Sequence, residues 1–153
     1  MKQTITSIYN WLDLAGFQFG DKSKLGLSLE LIAEEIKELE DGNIMEDKFE
    51  IKDAIVDTFW VMCNNAYFNG ITAKELSEMF NAVKRSNYSK FCTEVLEANQ
   101  TCDAYEAGEH WDKKGTTYPC VVDTKEPYYI IKHAKTGKVL KSINYIPTKE
   151  LMK

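Results

Sequence analysis

Leu31-Ile32-Ala33-Glu34-Glu35-Ile36-Lys37-Glu38-Leu39 and, one loop and one turn downstream, Asp53-Ala54-Ile55-Val56-Asp57 decide how this chain is read. At about 100° per residue, Glu35 falls between Leu31 and Leu39 on a helical wheel, and Glu38 lies at the edge of the same apolar arc. The spacing therefore predicts a helix that turns both carboxylates inward, whereas Glu30 and Glu40 point elsewhere and read as solvated charges. The next helix, predicted over about 46–69, carries Phe49, Ala54, Ile55, Val56, Phe59, Trp60, Val61, Met62, Cys63 and Phe68 around nearly its whole circumference. A helix apolar on all sides is expected to be largely buried. Within it Asp53, Asp57 and Asn64 fall in a stripe of roughly 40°, so their side chains share one face.

Such an arrangement needs compensation. Like charges one turn apart cost about 0.2–0.5 kcal/mol, and an ionised carboxylate without a partner in apolar surroundings costs far more. Oxygen-rich side chains from two facing helices suit a hard cation such as magnesium, or two of them, because magnesium favours carboxylates and retained water over nitrogen or sulfur. The competing readings are surface acids on amphipathic helices and acids paired with buried Lys or Arg. A second acidic pair on an otherwise apolar helix argues for the cation.

Outward from this centre, Ile8, Trp11, Leu12 and Ala15 recur at intervals of three and four and predict a first helix over about 5–19. Ser28 is positioned to cap the acidic helix, which Asp41-Gly42-Asn43 closes. Gly70 suits the position after a helix end, and Thr72-Ala73-Lys74-Glu75 forms a capping box for a fourth helix that stops near Arg85-Ser86-Asn87. Beyond Asn99 the helical period fades, and 107–127 reads as loop. Tyr128–Lys132 and Lys138–Lys141, flanking Ala134-Lys135-Thr136-Gly137, predict a short β-hairpin. The expected architecture is thus an all-α helical bundle with a small C-terminal hairpin.

A length of 153 residues fits one domain over 1–153, since domains commonly reach about 100–150 residues. With 44% hydrophobic and 28% charged residues the chain reads as globular rather than disordered or fibrous. A net charge of -5 argues against a non-specific nucleic-acid binder, which needs a basic surface. No run of about 18 apolar residues is present, so no membrane association and a cytoplasmic location are expected. Cys92, Cys102, His110 and Cys120 match no standard zinc spacing and read as scattered loop and core residues, with reduced thiols.

The acidic pattern resembles the MazG-like and phosphoribosyl-ATP pyrophosphohydrolase-like all-α family, in which an EExxE helix precedes a helix bearing ExxD or DAxxD. Here Glu34-Glu35-Ile36-Lys37-Glu38 precedes Asp53-Ala54-Ile55-Val56-Asp57, ahead of an apolar run ending in Asn69-Gly70-Ile71. Phage-type members look like "RSNMSK" followed by "GKVLKGPNYxxP"; this chain has Arg85-Ser86-Asn87-Tyr88-Ser89-Lys90 and later Gly137-Lys138-Val139-Leu140-Lys141-Ser142-Ile143-Asn144-Tyr145-Ile146-Pro147. The segment 91–135 between them looks like an insertion. Ala54 stands where the ExxD version has its acid, and Tyr88 stands where the phage pattern has Met.

The resemblance implies a nucleoside triphosphate pyrophosphohydrolase that yields monophosphate and pyrophosphate with magnesium, manganese being a possible substitute. It makes Glu35, Glu38 and Asp57 the leading metal ligands, with Asp53 fourth. Glu34 is either a second-shell group or the base that deprotonates the attacking water, against a solvated helix acid. Arg85 and Lys90 are the expected phosphate contacts, with Asn87 as a donor to phosphate or sugar and Lys22 and Lys24 as weaker candidates. Trp60 is a candidate to stack on a base, although core packing is the commoner use of a large aromatic. Asn64 could read base or ribose. A small-molecule nucleotide is the expected partner, and a homodimer or homotetramer is expected because a helix apolar on every side needs more neighbours than a small monomer offers. Two alternatives stand beside this reading: phosphoribosyl-ATP hydrolysis, and a catalytically silent helical binding or scaffold protein.

Overall fold

A computed structural model describes residues 1–152. It is mainly helical, as expected, with helices α1 (Lys2–Leu14), α2 (Leu25–Met45), α3 (Lys48–Phe68), α4 (Ala73–Tyr88) and α5 (Val95–Glu106), and a hairpin of β1 (Cys120–Lys125) and β2 (Tyr128–His133). Where the sequence leads one to expect a single domain over 1–153, the backbone divides into two compact units, Met1–Glu78 and the part from Met79 onward.

In the first unit Ile5, Ile8, Tyr9 and Leu12 of α1 pack on Cys63, Tyr67 and Phe68 of α3. The polar ends of the two buried tyrosines are satisfied: the Tyr9 hydroxyl donates to the Ile71 carbonyl at 2.8 Å, and the Tyr67 hydroxyl donates to Asp13 and to the Phe17 carbonyl. The predicted capping box is present, with Thr72 N and Oγ1 donating to Glu75 and Glu75 N donating back to Thr72 Oγ1. Gly70 takes φ +73° after α3, as its position requires.

α2 and α3 form a tight helical hairpin. α2 ends on Glu46, a left-handed residue at φ 56°, and Asp47 caps α3 by accepting from Phe49 N at 2.8 Å and Glu50 N at 3.3 Å. A Cβ on Gly42 would lie 3.2 Å from Ile51 N and 3.3 Å from the side chains of Glu50 and Ile51, so the helices touch there through backbone. Gly42 lies in the last turn of α2, where its carbonyl accepts from Asp47 N at 3.0 Å. Ser28 differs from its expected capping role, because α2 starts earlier, at Leu25. Fully buried, Ser28 donates to the Leu25 carbonyl and accepts from Asn65 Nδ2 at 2.7 Å, bolting α2 to α3.

The burial expected of α3 holds mainly toward its C-terminal end, where Val61, Cys63, Ala66, Tyr67 and Phe68 are buried, with Ala54 the one buried residue nearer its start. Phe49 is 70% exposed, Ile55 53%, Val56 61% and Met62 51%. The N-terminal half packs against α2 alone, and one neighbouring helix covers one side.

In the second unit α5 occupies sequence that reads as aperiodic past Asn99. Its buried face is Ala98, Thr101 and Tyr105, a helical spacing disguised by a threonine. These residues join Cys92, Ile131 and Leu140 in a second core. The hairpin also differs from expectation. β2 is the predicted strand, but its partner is Cys120–Lys125 upstream, in register from Cys120↔His133 to Lys125↔Tyr128 across the two-residue loop Glu126-Pro127. Val121, Val122 and Thr124 give β1 the branched side chains that favour strands, whereas the predicted partner reaches β2 only through an isolated Lys132↔Val139 bridge.

Because the α2–α3 contact closes on a missing Cβ, Gly42→Val is expected to lower stability by about 1–3 kcal/mol, in line with overpacking elsewhere. Chemical denaturation followed by circular dichroism measures this; a variant as stable as the parent would show that the helices can part there freely.

Candidate active site

The α2–α3 hairpin brings the acidic residues together from both helices. Glu35 is half-buried, and its Oε2 is sealed from solvent without any hydrogen-bond partner. Its carboxyl is pushed above the ordinary range, first by burial and then by the charges of Glu38, Asp57, Glu34 and Asp53. The four carboxylates that add to this rise are the others singled out from sequence. Asn64, one further turn along the α3 stripe, is buried with its Oδ1 likewise unpartnered.

The inward orientation read from the helical wheel needs correction. Glu34, Glu38, Asp53 and Asp57 are exposed, and only Glu35 enters the interface. The cause is the same one that exposes the N-terminal half of α3: two helices make a shallow groove whose rim is open to water. Among the described residues no three His, Cys, Asp or Glu side chains are drawn close enough to enclose a cation. What fits a hard divalent ion is the chemistry of the donors: oxygen only, from two helices, with one carboxylate oxygen buried and unsatisfied. Glu35, Glu38, Asp53 and Asp57 are the residues that could hold such an ion.

Trp60 is half-buried and lies against Trp11 of α1, edge to face at 5.8 Å between ring centroids. Its indole is thus committed to packing on the α1–α3 core. Lys22 and Lys24 occupy a single 3-10 turn ahead of α2, after Asp21, whose side chain accepts from Ser23 N.

Within the second unit, Arg85 and Asn87 lie in the last turn of α4 and are exposed, and Lys90 follows in the turn beyond. Lys90 Nζ donates to Asn87 Oδ1 at 2.6 Å, so these two act as a pair. The serines of the same motif are structural. Ser86 Oγ donates to the Tyr145 hydroxyl at 2.9 Å, and Ser89 Oγ accepts from Ile146 N at 2.9 Å. The Arg85–Lys90 motif and the Asn144-Tyr145-Ile146-Pro147 motif, about 55 residues apart in sequence, are therefore docked on one another.

Residues 18–87 match the family described as phosphoribosyl-ATP pyrophosphohydrolase. That segment holds α2, α3 and every acidic residue above, and it is what this chain has in common with the phosphoribosyl-ATP pyrophosphohydrolase family. An uncharacterized protein of Acanthamoeba polyphaga mimivirus is 38% identical over 68 residues, which cover 44% of this chain and 26% of that relative. The chain thus spans about a quarter of the viral protein's length. No solved structure matches significantly.

The Glu35 carboxyl, raised on folding, contributes stability below its unfolded pKa and loses that contribution as pH rises through its higher folded pKa. At pH 7 its ionised form therefore opposes folding. In chelator, Glu35→Gln is expected to raise the thermal midpoint at pH 7 by the equivalent of about 0.5 kcal/mol, and the gain should vanish toward pH 4. A midpoint that falls at both pH values would mean that the carboxylates do not repel one another.

Proposed function

We propose that this protein is a magnesium-dependent nucleoside triphosphate pyrophosphohydrolase, converting a ribo- or deoxyribonucleoside triphosphate and water into the monophosphate and pyrophosphate. The observation that carries the proposal is the buried, unpartnered Glu35 Oε2 on a helix pair that also bears Glu34, Glu38, Asp53 and Asp57. A neutral ligand would leave that charge uncompensated, and a purely structural role would favour its replacement by an apolar residue. The family assignment of the same segment supports cleavage of a pyrophosphate linkage.

In this reading Glu35, Glu38 and Asp57 hold the ion, and Asp53 completes the set from a slightly different angle because Ala54 occupies the next position. Magnesium, with manganese as its substitute, supplies charge neutralisation for the phosphates, orientation of a water and stabilisation of the departing pyrophosphate. Glu34, exposed beside the ligands, accepts the proton of the attacking water. Arg85 grips phosphate through its fork of donors, and Lys90 adds a point charge steadied by Asn87. This part of the proposal rests on residue type and motif. Asn64, with a carbonyl oxygen unpaired at the end of the stripe, is the candidate contact to sugar or base. Trp60 is the weakest candidate, given its packing on Trp11.

Phosphoribosyl-ATP is the second substrate reading, favoured by the description of the family. A scaffold without activity is the third. We propose in addition that the protein is a homodimer or homotetramer. Ile55, Val56, Phe49 and Met62 expose apolar surface on the helix that carries the acids, and clustered exposed apolar residues mark association surfaces.

A panel of common ribo- and deoxyribonucleoside triphosphates and phosphoribosyl-ATP, assayed with magnesium, tests the reaction. Pyrophosphate is the expected product, and Glu38→Gln and Asp57→Asn are each expected to lose roughly 100-fold or more in activity. Release of orthophosphate would refute the reaction class, and full activity in both variants would refute the site. Sedimentation of the parent should give a dimer or tetramer that Val56→Asp dissociates; a monomeric parent would overturn the assembly.

A further inference from the structure

Charge is divided unevenly along the chain. Residues 1–78 carry seven Lys and fifteen Asp or Glu, a net of -8, whereas residues 79–153 carry eleven Lys and Arg85 against nine acids, a net of +3. Part of that positive excess is gathered in a cleft of about 310 Å³ in the second unit, lined among others by Lys90, Lys113, Lys138, Lys141, Asp112 and Tyr118. Four ammonium groups against one carboxylate leave the cleft at +3.

Three of the four lysines, Lys90, Lys113 and Lys141, are held in place. Lys141 Nζ donates to Asp112 Oδ1 at 2.6 Å and lies 5.2 Å and 5.0 Å from the ring centres of Trp111 and Tyr145. Burial works to raise the Asp112 carboxyl, but the hydrogen bond and charge of Lys141, with Lys113 and His110, more than offset it and hold it below the usual range. Lys113 Nζ stands 5.7 Å over the Tyr118 ring, and Lys90 is tethered to the neutral Asn87 amide. Among the described residues neither Lys90, Lys113 nor Lys138 forms an ion pair. An aromatic face orients Lys113 and an amide orients Lys90 without cancelling their charge.

We propose that this cleft is a binding site for an oligophosphate, either free pyrophosphate or the phosphate chain of a nucleotide, that needs no divalent ion. Its volume is at the lower end of the range for small-ligand sites, which suits two or three linked phosphoryl groups. Lysine supplies point charges that accept the varied oxygen directions of such a chain. The site shares Lys90 with the reaction proposed above but uses neither the acidic helices nor a metal, so it can be tested apart from that reaction.

Calorimetric titration of the full chain in EDTA tests it, with pyrophosphate, ATP and orthophosphate as probes. Pyrophosphate or ATP should bind saturably, the tighter of the two identifying the source, and orthophosphate at least 10-fold more weakly. Lys113→Ala/Lys138→Ala should weaken binding at least 10-fold, while Lys114→Ala/Lys135→Ala, an equal loss of charge at exposed positions outside the lining, and Glu38→Gln should leave it within twofold. The charge-preserving Lys113→Arg/Lys138→Arg should bind like the parent, which separates loss of charge from misfolding. The proposal is overturned by absence of saturable binding in EDTA, by equal binding of orthophosphate, or by equal losses in the two alanine pairs.

Discussion

The close lie of α2 along α3 is the contact on which the acidic centre depends. Two helices bearing carboxylates on their facing edges repel, and nothing in the charge pattern holds them together. Backbone contact at Gly42, the αL turn at Glu46 and the Ser28–Asn65 hydrogen bond hold them instead. All three are short-range and uncharged, so screening by salt leaves them intact. They also lie at the two ends of the helical hairpin, with Glu35, Glu38, Asp53 and Asp57 between them. The carboxylates are thus kept in register by groups that take no part in binding.

That division of labour explains why the site can be unfavourable to folding and still form. Glu35 enters the interface at a cost, because one of its carboxyl oxygens is buried there without a hydrogen-bond partner. The compensating stability comes from the aromatic core of α1 and the C-terminal half of α3, where Tyr9, Tyr67 and Phe68 pack edge to face. Strain of this kind is tolerated where function needs it and the surrounding structure over-determines it. The exposed apolar residues near the start of α3 belong to the same economy. They leave an exposed apolar surface on the acid-bearing helix.

Much of this was legible in the residues. The capping box at Thr72 and Glu75, and Gly70, each rest on local chemistry, and each stands as read. The misreadings came where partners are distant. Ser28 has the composition of a cap, and only its contact with Asn65, 37 positions away, reveals it as a bolt. α5 is amphipathic through Ala98, Thr101 and Tyr105, a face whose threonine hides its period. β2 was found, but its partner was assigned to the wrong side, because the turn at Gly137 is a stronger local signal than the Glu126-Pro127 loop. For the acids, helical periodicity gives direction around one axis; depth depends on how many helices surround that axis, and here one does.

The docking of Ser86 and Ser89 on Tyr145 and Ile146 bears on how the basic motif works. Arg85, Asn87 and Lys90 alternate with these serines along the end of α4 and its following turn. Ser86 and Ser89, three residues apart, are fixed by hydrogen bonds to the C-terminal strap (residues 137–147), and the charged and amide side chains around them are left exposed or paired only with each other. A motif whose small residues are fixed by packing and whose cations are not neutralised is built to present charge at a set position. The strap also carries Lys138 and Lys141, so the serine contacts bring the two lysine-bearing segments together around one cleft. The pairing of two sequence motifs separated by about 55 residues then has a physical reason. Neither segment alone can orient its cations, and each supplies the hydrogen bonds that hold the other.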